Sequence, residues 1–263
     1  MGCKITKKSG NFKNNPWKML NFVQVMEERP KYLVVVAGGS GTRMGAASPK
    51  QFLLLDGRPI LLRTLERFVE AVPGIHIITV LPKDHIDYWK ELCIRYSFTA
   101  PQRLVAGGIT RFHSVKNALA KVPEGALVAV HDGVRPLVSV RLIREMFAQM
   151  DRCRALIPVT PVTDTLKLLA KTEDGRLQTK SGPAPDRSCL YGAQTPQLFH
   201  SEDLLAAYAQ AFDTAFTDDA SVVAKAGVPL SWTEGERLNL KITCPEDLIL
   251  AEAILRSSYS CNP

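Results

Sequence analysis

Gly38, Gly39 and Gly41 close a run of β-branched residues in the stretch KYLVVVAGGSGTRMGAASPKQF, and two cations, Arg43 and Lys50, stand just beyond them. Glycine lets backbone N–H groups approach a ligand with no side chain between, and a loop of such groups binds anions. The arginine and lysine supply the positive charge that phosphates require, one as a planar fork and the other as a point charge. The commoner phosphate motifs do not fit. A dinucleotide fingerprint needs G-x-G-x-x-G, but counted from Gly39 and Gly41 the third position is Met44, with Gly45 one residue late. A P-loop needs Gly-Lys-Ser/Thr, and the chain holds no Gly-Lys pair. What remains is a longer anion-binding loop, A-G-G-S-G-T-R-M-G. Its alternative is a tight strand-to-helix connection that uses glycine only for its dihedrals, and two cations directly after the loop argue against that.

Such a loop needs rigid elements to hold it. Tyr32 to Ala37, Ile75 to Leu81, Ala126 to His131 and Ala155 to Thr160 are short apolar runs that read as buried strands, with Arg103 to Gly107 a shorter one. Between them lie amphipathic stretches. PILLRTLERFVEAV starts with a proline suited to a helix's first turn and repeats its leucines on one face; TRFHSVKNALAKV and SVRLIREMFAQM follow the same period. The alternation predicts an α/β fold, a mostly parallel sheet flanked by helices, with ligands beyond the carboxyl ends of the strands. The glycine loop follows the first strand and so lies at that end. From Thr160 the rhythm changes. VTDTLKLLAKTEDGRLQTKSGPAPDR has two strand-like pieces around Glu173-Asp174-Gly175 and reads as a β-arm over residues 161–187. A lone hairpin is marginal in water, so the arm is expected to pack on a second subunit. Helical pattern resumes in SEDLLAAYAQAF, with Ser201 as its expected cap, and in CPEDLILAEAIL.

A chain of 263 residues with 46% hydrophobic content suits one domain with an excursion, here residues 31–258. No apolar run approaches the roughly 20 residues of a membrane span and the start lacks a secretory core, so the protein is expected to be cytoplasmic. The six cysteines form no C-x-x-C pair and read as reduced thiols. Of the net charge of +7, five charges come from Lys4, Lys7, Lys8, Lys13 and Lys18 in a basic leader, residues 1–30, that reads as unstructured. The rest is nearly balanced, which argues against a nucleic-acid surface.

Taken in order, GGSGTRMG, SPKQF, GGITRFHSV, HDGVRP, TDTLK, DRSCLYGAQTPQLF, FTDDAS and NLKIT-PEDL closely resemble the motifs of the 2-C-methyl-D-erythritol 4-phosphate cytidylyltransferase family, from about Tyr32 to Leu255. The resemblance implies a Rossmann-like single domain, a homodimer joined through the arm, and Mg²⁺-dependent transfer of CMP from CTP to a sugar-alcohol phosphate in nonmevalonate isoprenoid biosynthesis. It implies that Ala37, Gly38, Gly39, Gly41, Arg43, Lys50, Gly108, Ser114, Asp132 and Gly133 bind the nucleotide. It places Asp132, Arg135, Thr165, Arg187, Thr217 and Lys241 around the acceptor, Thr165 and Arg187 serving the neighbouring subunit. Arg43, Lys50, Arg187 and Lys241 are the implied catalytic cations, and Asp132 lies near the metal. Ile109 stands where many members carry an acid, and Gly133-Val134 where many carry Ala-Ala.

The chemistry explains the residue types. A phosphate must attack the α-phosphorus of a polyanion, and two like charges 4 Å apart repel by about 1 kcal/mol in water and about 4 kcal/mol at an effective dielectric of 20. Neutralisation and alignment are therefore the main tasks. A phosphate nucleophile is already ionised, so His131 reads as a packed strand residue rather than a base. Two alternatives share these residues: transfer to ribitol 5-phosphate, and a non-catalytic nucleotide-binding protein of the same fold.

Overall fold

Valine and isoleucine are stiff at χ1 and pack well on a pleated surface, and their runs build the centre of the molecule. The computed structural model describes residues 28–39, 49–183 and 185–260. β1 (Lys31–Val36) lies between β4 (His76–Leu81) and β6 (Leu127–Asp132), parallel to both, and β5 (Gln102–Ala106) adds to β4 in the same sense. Beyond β6, β11 (Gln197–His200) runs antiparallel between β6 and β7 (Ala155–Pro161). β10 (Tyr191–Ala193) pairs antiparallel with the far end of β7, and β12 (Ser231–Glu234) pairs with β7 in parallel. The sheet is thus mixed but mostly parallel, as the alternating pattern predicts.

Successive residues of β1 feed opposite faces. Leu33 and Val35 join one core with Leu61, Leu65 and Phe68 of α1 (Ile60–Ala71), Trp89 and Leu92 of α2 (Ile86–Arg95), and Ile143 and Met146 of α4 (Val140–Gln149). Val34 joins the other with Phe112 and Val115 of α3 (Arg111–Leu119), Leu204 and Tyr208 of α5 (Ser201–Tyr208), and Val222 and Val223 of α6 (Asp219–Lys225). α7 (Pro245–Ser260) closes a smaller cluster through Ala251 and Leu255, with Leu55, Ile60, Val134 and Ile242. Two local expectations shift. Pro59 precedes the first residue of α1 instead of lying in its first turn, and pairs with Leu54 in a short hairpin of β2 (Leu54–Leu55) and β3 (Arg58–Pro59). Ser201 does not cap α5: His200 takes the cap position, and the Ser201 hydroxyl accepts the Ala126 N–H at 2.9 Å, joining the helix to the entrance of β6.

Register aligns the strand ends. Val36 is level with both Val80 and Asp132, and Val80 with Val105. Leu198 is level with Ala129 and with Leu156, which puts Asp132 and Val159 on one line, and Glu234 is level with Val159. Ala37, Gly107, Asp132, Thr160 and Gly235 therefore share one edge, where the parallel strands end. The arm departs from the same edge. β8 (Leu169–Lys171) and β9 (Leu177–Thr179) form a separate two-stranded sheet, exposed at every residue, around a turn at Gly175 with φ +82°. Its base is closed by the Val162 N–H bonded to Leu190 O at 3.1 Å.

Candidate active site

At the carboxyl edge, the last residue of β6 carries the most heavily charged contacts of the described residues. Lys241 Nζ lies 3.0 Å from Asp132 Oδ2, Arg135 Nε 3.2 Å from the same oxygen, and Arg111 Nε 3.7 Å from Oδ1. Burial alone would raise the Asp132 pKa, but the charges of Arg111, Lys241 and Arg135 outweigh it and hold the carboxyl well below the usual carboxylate range. Three segments supply these cations. Arg111 is the first residue of α3; Arg135 follows β6 and also donates to Asn239 O at 2.8 Å. Lys241 sits in the loop after β12, which the Ile242 N–H ties to Val134 O at 2.9 Å. The Lys241 side chain is 44% exposed against 11% for Arg135, so the ammonium is the part of the cluster that a ligand reaches first.

The loop that carries Lys241 is fixed from two sides. Gln194 Nε2 donates to Glu236 O at 2.9 Å and its Oε1 accepts the Glu236 N–H at 3.1 Å, copying a strand pair with a side chain. The Glu236 carboxylate in turn accepts from the Ser139 N–H and hydroxyl at the start of α4. Asn239 Nδ2 donates to Thr195 O at 2.8 Å. Thr195 Oγ1 accepts the Asp132 N–H at 3.1 Å and lies 3.0 Å from His131 Nδ1.

His131 is fully buried against Phe68, with ring centroids 4.9 Å apart. Its Nε2 lies 3.3 Å from Arg135 O, a carbonyl that only accepts, so Nε2 carries the proton and Nδ1 accepts from Thr195. Burial, the largest cause, pushes the imidazole down to about 3 from 6.5; Asp132 opposes this and Arg135 adds to it. His131 is therefore neutral and structural. A histidine whose folded pKa is depressed contributes stability that is complete above its unfolded value and lost as the pH falls toward its folded value. Acidification from pH 7 to pH 5 is expected to lower the melting temperature of the wild type, before most carboxylates titrate, and to lower that of His131→Gln far less. Equal slopes for the two proteins in thermal unfolding against pH would contradict this reading.

Of the residues expected to bind the nucleotide, Ala37 directly follows β1, its N–H bonded to Val80 O at 2.9 Å and its carbonyl accepting from Gln51 Nε2 at 2.8 Å. The buried Gln51 thereby holds the 3₁₀ turn Lys50–Phe52 against the end of β1, and with it the half-buried Lys50. Gly38 and Gly39 follow Ala37 directly. Gly108 has its N–H on Ser114 Oγ at 3.0 Å, and a Cβ there would meet His113 Cβ at 2.5 Å, so only glycine fits that loop. Gly133 is different: its N–H goes to Val36 O, its carbonyl accepts from Thr64, and an added Cβ would press on Leu61, Ala37 and Val35. Its visible work is packing. Gly41, Arg43 and most of the leader lie outside the described residues.

Of the residues expected around the acceptor, Asp132, Arg135 and Lys241 meet directly. Thr217 is exposed just before α6, its N–H on Ser221 Oγ at 3.1 Å. Thr165 and Arg187 are exposed on the arm, where Arg187 Nη1 donates to Thr163 O at 2.9 Å, away from the Asp132 cluster. Arg111, Thr195, Gln194 and Asp219 carry the cluster without having been singled out from the sequence. Each falls inside a resembling motif, GGITRFHSV, QTPQLF or FTDDAS, but nothing in those strings says which residue faces which.

The described residues contain no group of three or more His, Cys, Asp or Glu placed to hold a metal. Asp132 is the one acidic side chain of the cluster that faces the site edge, with Oδ1 held only at 3.7 Å. A divalent cation held there would have to draw its other ligands from substrate phosphates and water, since Asp132 offers one carboxylate and its Oδ2 is already paired with Lys241 and Arg135.

Known proteins match along nearly the whole of this arrangement. A profile described as IspD, 2-C-methyl-D-erythritol 4-phosphate cytidylyltransferase, matches residues 32–257. The 2-C-methyl-D-erythritol 4-phosphate cytidylyltransferase of Porphyromonas gingivalis strain W83 is 48% identical over 231 residues, 88% of this chain and 100% of that protein. The protein of that name from Bacteroides thetaiotaomicron is 46% identical over 223 residues, 85% of this chain and 98% of its own. Among solved structures, the 4-diphosphocytidyl-2C-methyl-D-erythritol synthase of Anaerococcus prevotii superposes with a TM-score of 0.70 at 29% identity, covering 87% of this chain and 99% of that one. The cytidylyltransferase of Thermus thermophilus gives 0.65 at 31% identity, covering 86% and 99%. The matched segment spans the glycine end of β1, the Asp132 cluster and Lys241 alike, and the chain belongs to the 2-C-methyl-D-erythritol 4-phosphate cytidylyltransferase family.

Proposed function

We propose that this enzyme transfers CMP from CTP to 2-C-methyl-D-erythritol 4-phosphate, giving 4-diphosphocytidyl-2-C-methyl-D-erythritol and diphosphate. The observation that carries the reading is the convergence of Arg111, Arg135 and Lys241 on Asp132, at the edge where β1 leads through Ala37 into Gly38 and Gly39. Counting Asp219, which pairs with Arg111, three cations meet two carboxylates. The cluster is left net positive before Lys50 and Arg43 are added, which suits a site for two anions.

The triphosphate would lie along Gly38, Gly39 and Gly41, with Arg43 and Lys50 on its oxygens, and the base under Gly108 and Ser114. The acceptor phosphate would be held by Arg135 and Lys241, with Thr217 beside it and Thr165 and Arg187 reaching over from the arm of a second subunit. An acceptor phosphate oxygen then bonds to the α-phosphorus as the bond to the bridging oxygen of the β-phosphate breaks, and diphosphate leaves with the electron pair. No general base is needed, in keeping with a neutral, buried His131. Mg²⁺ at Asp132 would supply charge neutralisation at the phosphates.

Homodimerisation through the arm fits its surface: Leu166, Leu168, Leu169 and Leu177 are between 38% and 67% exposed on an arm whose two-stranded sheet has no core of its own. Both substrates are soluble anions, which suits a cytoplasmic enzyme, and no described helix is long and apolar enough to cross a membrane. The test is diphosphate release from CTP and Mg²⁺ with each acceptor separately. Turnover with 2-C-methyl-D-erythritol 4-phosphate is expected; turnover with ribitol 5-phosphate alone would replace that acceptor, and turnover with neither would leave a nucleotide-binding protein.

A further inference from the structure

Arg111 donates from Nη1 and Nη2 to the two oxygens of Asp219, both at 2.7 Å, and the Tyr208 hydroxyl donates to Asp219 Oδ1 at 2.5 Å. Asp219 is fully buried, so no substrate can touch it. Arg111 opens α3, three residues after Gly108, and Asp219 opens α6, two residues after Thr217. The pair therefore links the loop assigned to the cytosine with the loop assigned to the acceptor, across 108 residues of chain, while the remaining guanidinium nitrogen faces Asp132.

Stability alone does not account for this pair. A cation at the N-terminus of a helix opposes the macrodipole, and a buried ion pair seldom outperforms apolar residues of similar volume. Nor is it needed as glue. Phe112, next to Arg111, stacks on Tyr208 at 4.8 Å and on Phe216 at 5.5 Å, which already fastens α3 to the segment ahead of Thr217. What the flat stack leaves free is sliding and rotation in the plane of the rings. A bidentate fork removes that freedom, because two parallel N–H···O bonds fix angle as well as distance.

We propose that the Arg111–Asp219 pair is a positioning strut that sets the nucleotide half of the site against the acceptor half, so that Asp219 controls acceptor affinity without touching acceptor. The inference rests on the cytidylyltransferase reading above. Its experiment measures kcat and KM for each substrate, CTP binding by calorimetry with Mg²⁺ and no acceptor, and melting temperature.

Asp219→Asn keeps the volume and weakens the fork. It is expected to raise the acceptor KM about tenfold while CTP affinity stays within about threefold, an effect smaller than the roughly 10²-fold that a 1 Å misplacement can cost. The double variant Arg111→Met with Asp219→Leu separates positioning from packing: its melting temperature is expected to return toward wild type while the acceptor KM stays high. If both return, or if Asp219→Asn shifts only the melting temperature, the strut is merely a structural contact and the proposal falls. Should Asp219→Asn fail to fold, Arg111→Lys carries the test, since it keeps the charge beside Asp132 and loses the fork; a wild-type acceptor KM in that variant overturns the proposal. Wild-type protein that binds CTP but turns over no acceptor would instead remove the underlying functional reading, and this inference with it.

Discussion

Asp132→Asn is expected to lower turnover by about 10²–10³-fold, the scale seen when one preorganised charged contact is removed from a transition state. Unlike a loss at an exposed cation, it is also expected to destabilise the fold. The substitution leaves Arg135 and Lys241 beside Arg111 with only Asp219 to balance them, and the Arg135 and Asp132 side chains are 11% and 10% exposed. Removing one partner of a buried pair costs about 3–5 kcal/mol. In a domain of this size each kcal/mol is worth about 2–4 °C, so the melting temperature should fall by roughly 6–20 °C. The same excess of positive charge makes a further expectation specific to this geometry: diphosphate should raise the melting temperature of Asp132→Asn more than that of the wild type, because it restores the missing negative charge. Differential scanning fluorimetry with and without diphosphate, beside a diphosphate-release assay, checks all three. An unchanged melting temperature would show that the three cations do not depend on Asp132 for their placement.

How far the sequence foretells this arrangement depends on the range of the interaction. The central strands β1, β4 and β6 are legible because each is a largely buried apolar run, and β5 at the edge is legible only through Leu104 to Ala106; the strand ends differ from the expected ones by at most a residue. α2 is not legible: in IDYWKELCIR only Trp89 and Leu92 are buried, too thin a stripe to stand out as a helical period. β11 and β12 are four residues each, and β12 alternates half-buried and exposed positions at the sheet edge, so neither presents an apolar run of strand length. Ser201 shows how a correct local signal can serve another purpose. A serine ahead of Glu-Asp reads as a cap, yet its hydroxyl is taken by the Ala126 N–H, a partner 75 residues away.

The site divides along the same line. A glycine loop with cations after it is a local signal, and it points to phosphate without any partner being known. The pairing of Lys241 with Asp132 has no local signal; the motifs named both residues, and only the return of the chain after β12 brings them to 3.0 Å. Arg111 and Asp219 lie within motifs too, but an arginine at the start of a helix reads as solvated surface until its carboxylate is seen. Buried polar pairs between distant segments are where sequence reasoning has least purchase, since neither partner is unusual alone.

The arm makes the remaining prediction, whose outcome separates two geometries outright. Arg187 and Thr165 lie exposed near the base of the arm, outside its two strands, with Arg187 bonded to Thr163 O and, among the described residues, forming no ion pair with the Asp132 cluster of its own chain. If each arm serves the neighbouring subunit, every site combines Lys50 from one chain with Arg187 from the other. Lys50→Ala and Arg187→Ala homodimers should then both be nearly inactive, because every site in each lacks one cation. In a heterodimer of the two, one site receives both substitutions and the other receives neither. Random re-association of equal amounts gives about half heterodimers by closed two-fold symmetry, each with one intact site, so the mixture should recover about a quarter of wild-type activity. If the arm served its own chain, each heterodimer site would carry one substitution and the mixture would stay as inactive as its parents. The decisive measurement is diphosphate release after unfolding and refolding the two variants together, with differently tagged chains to verify that heterodimers have formed. Verified heterodimers without recovered turnover would place Arg187 in its own subunit's site, or in none.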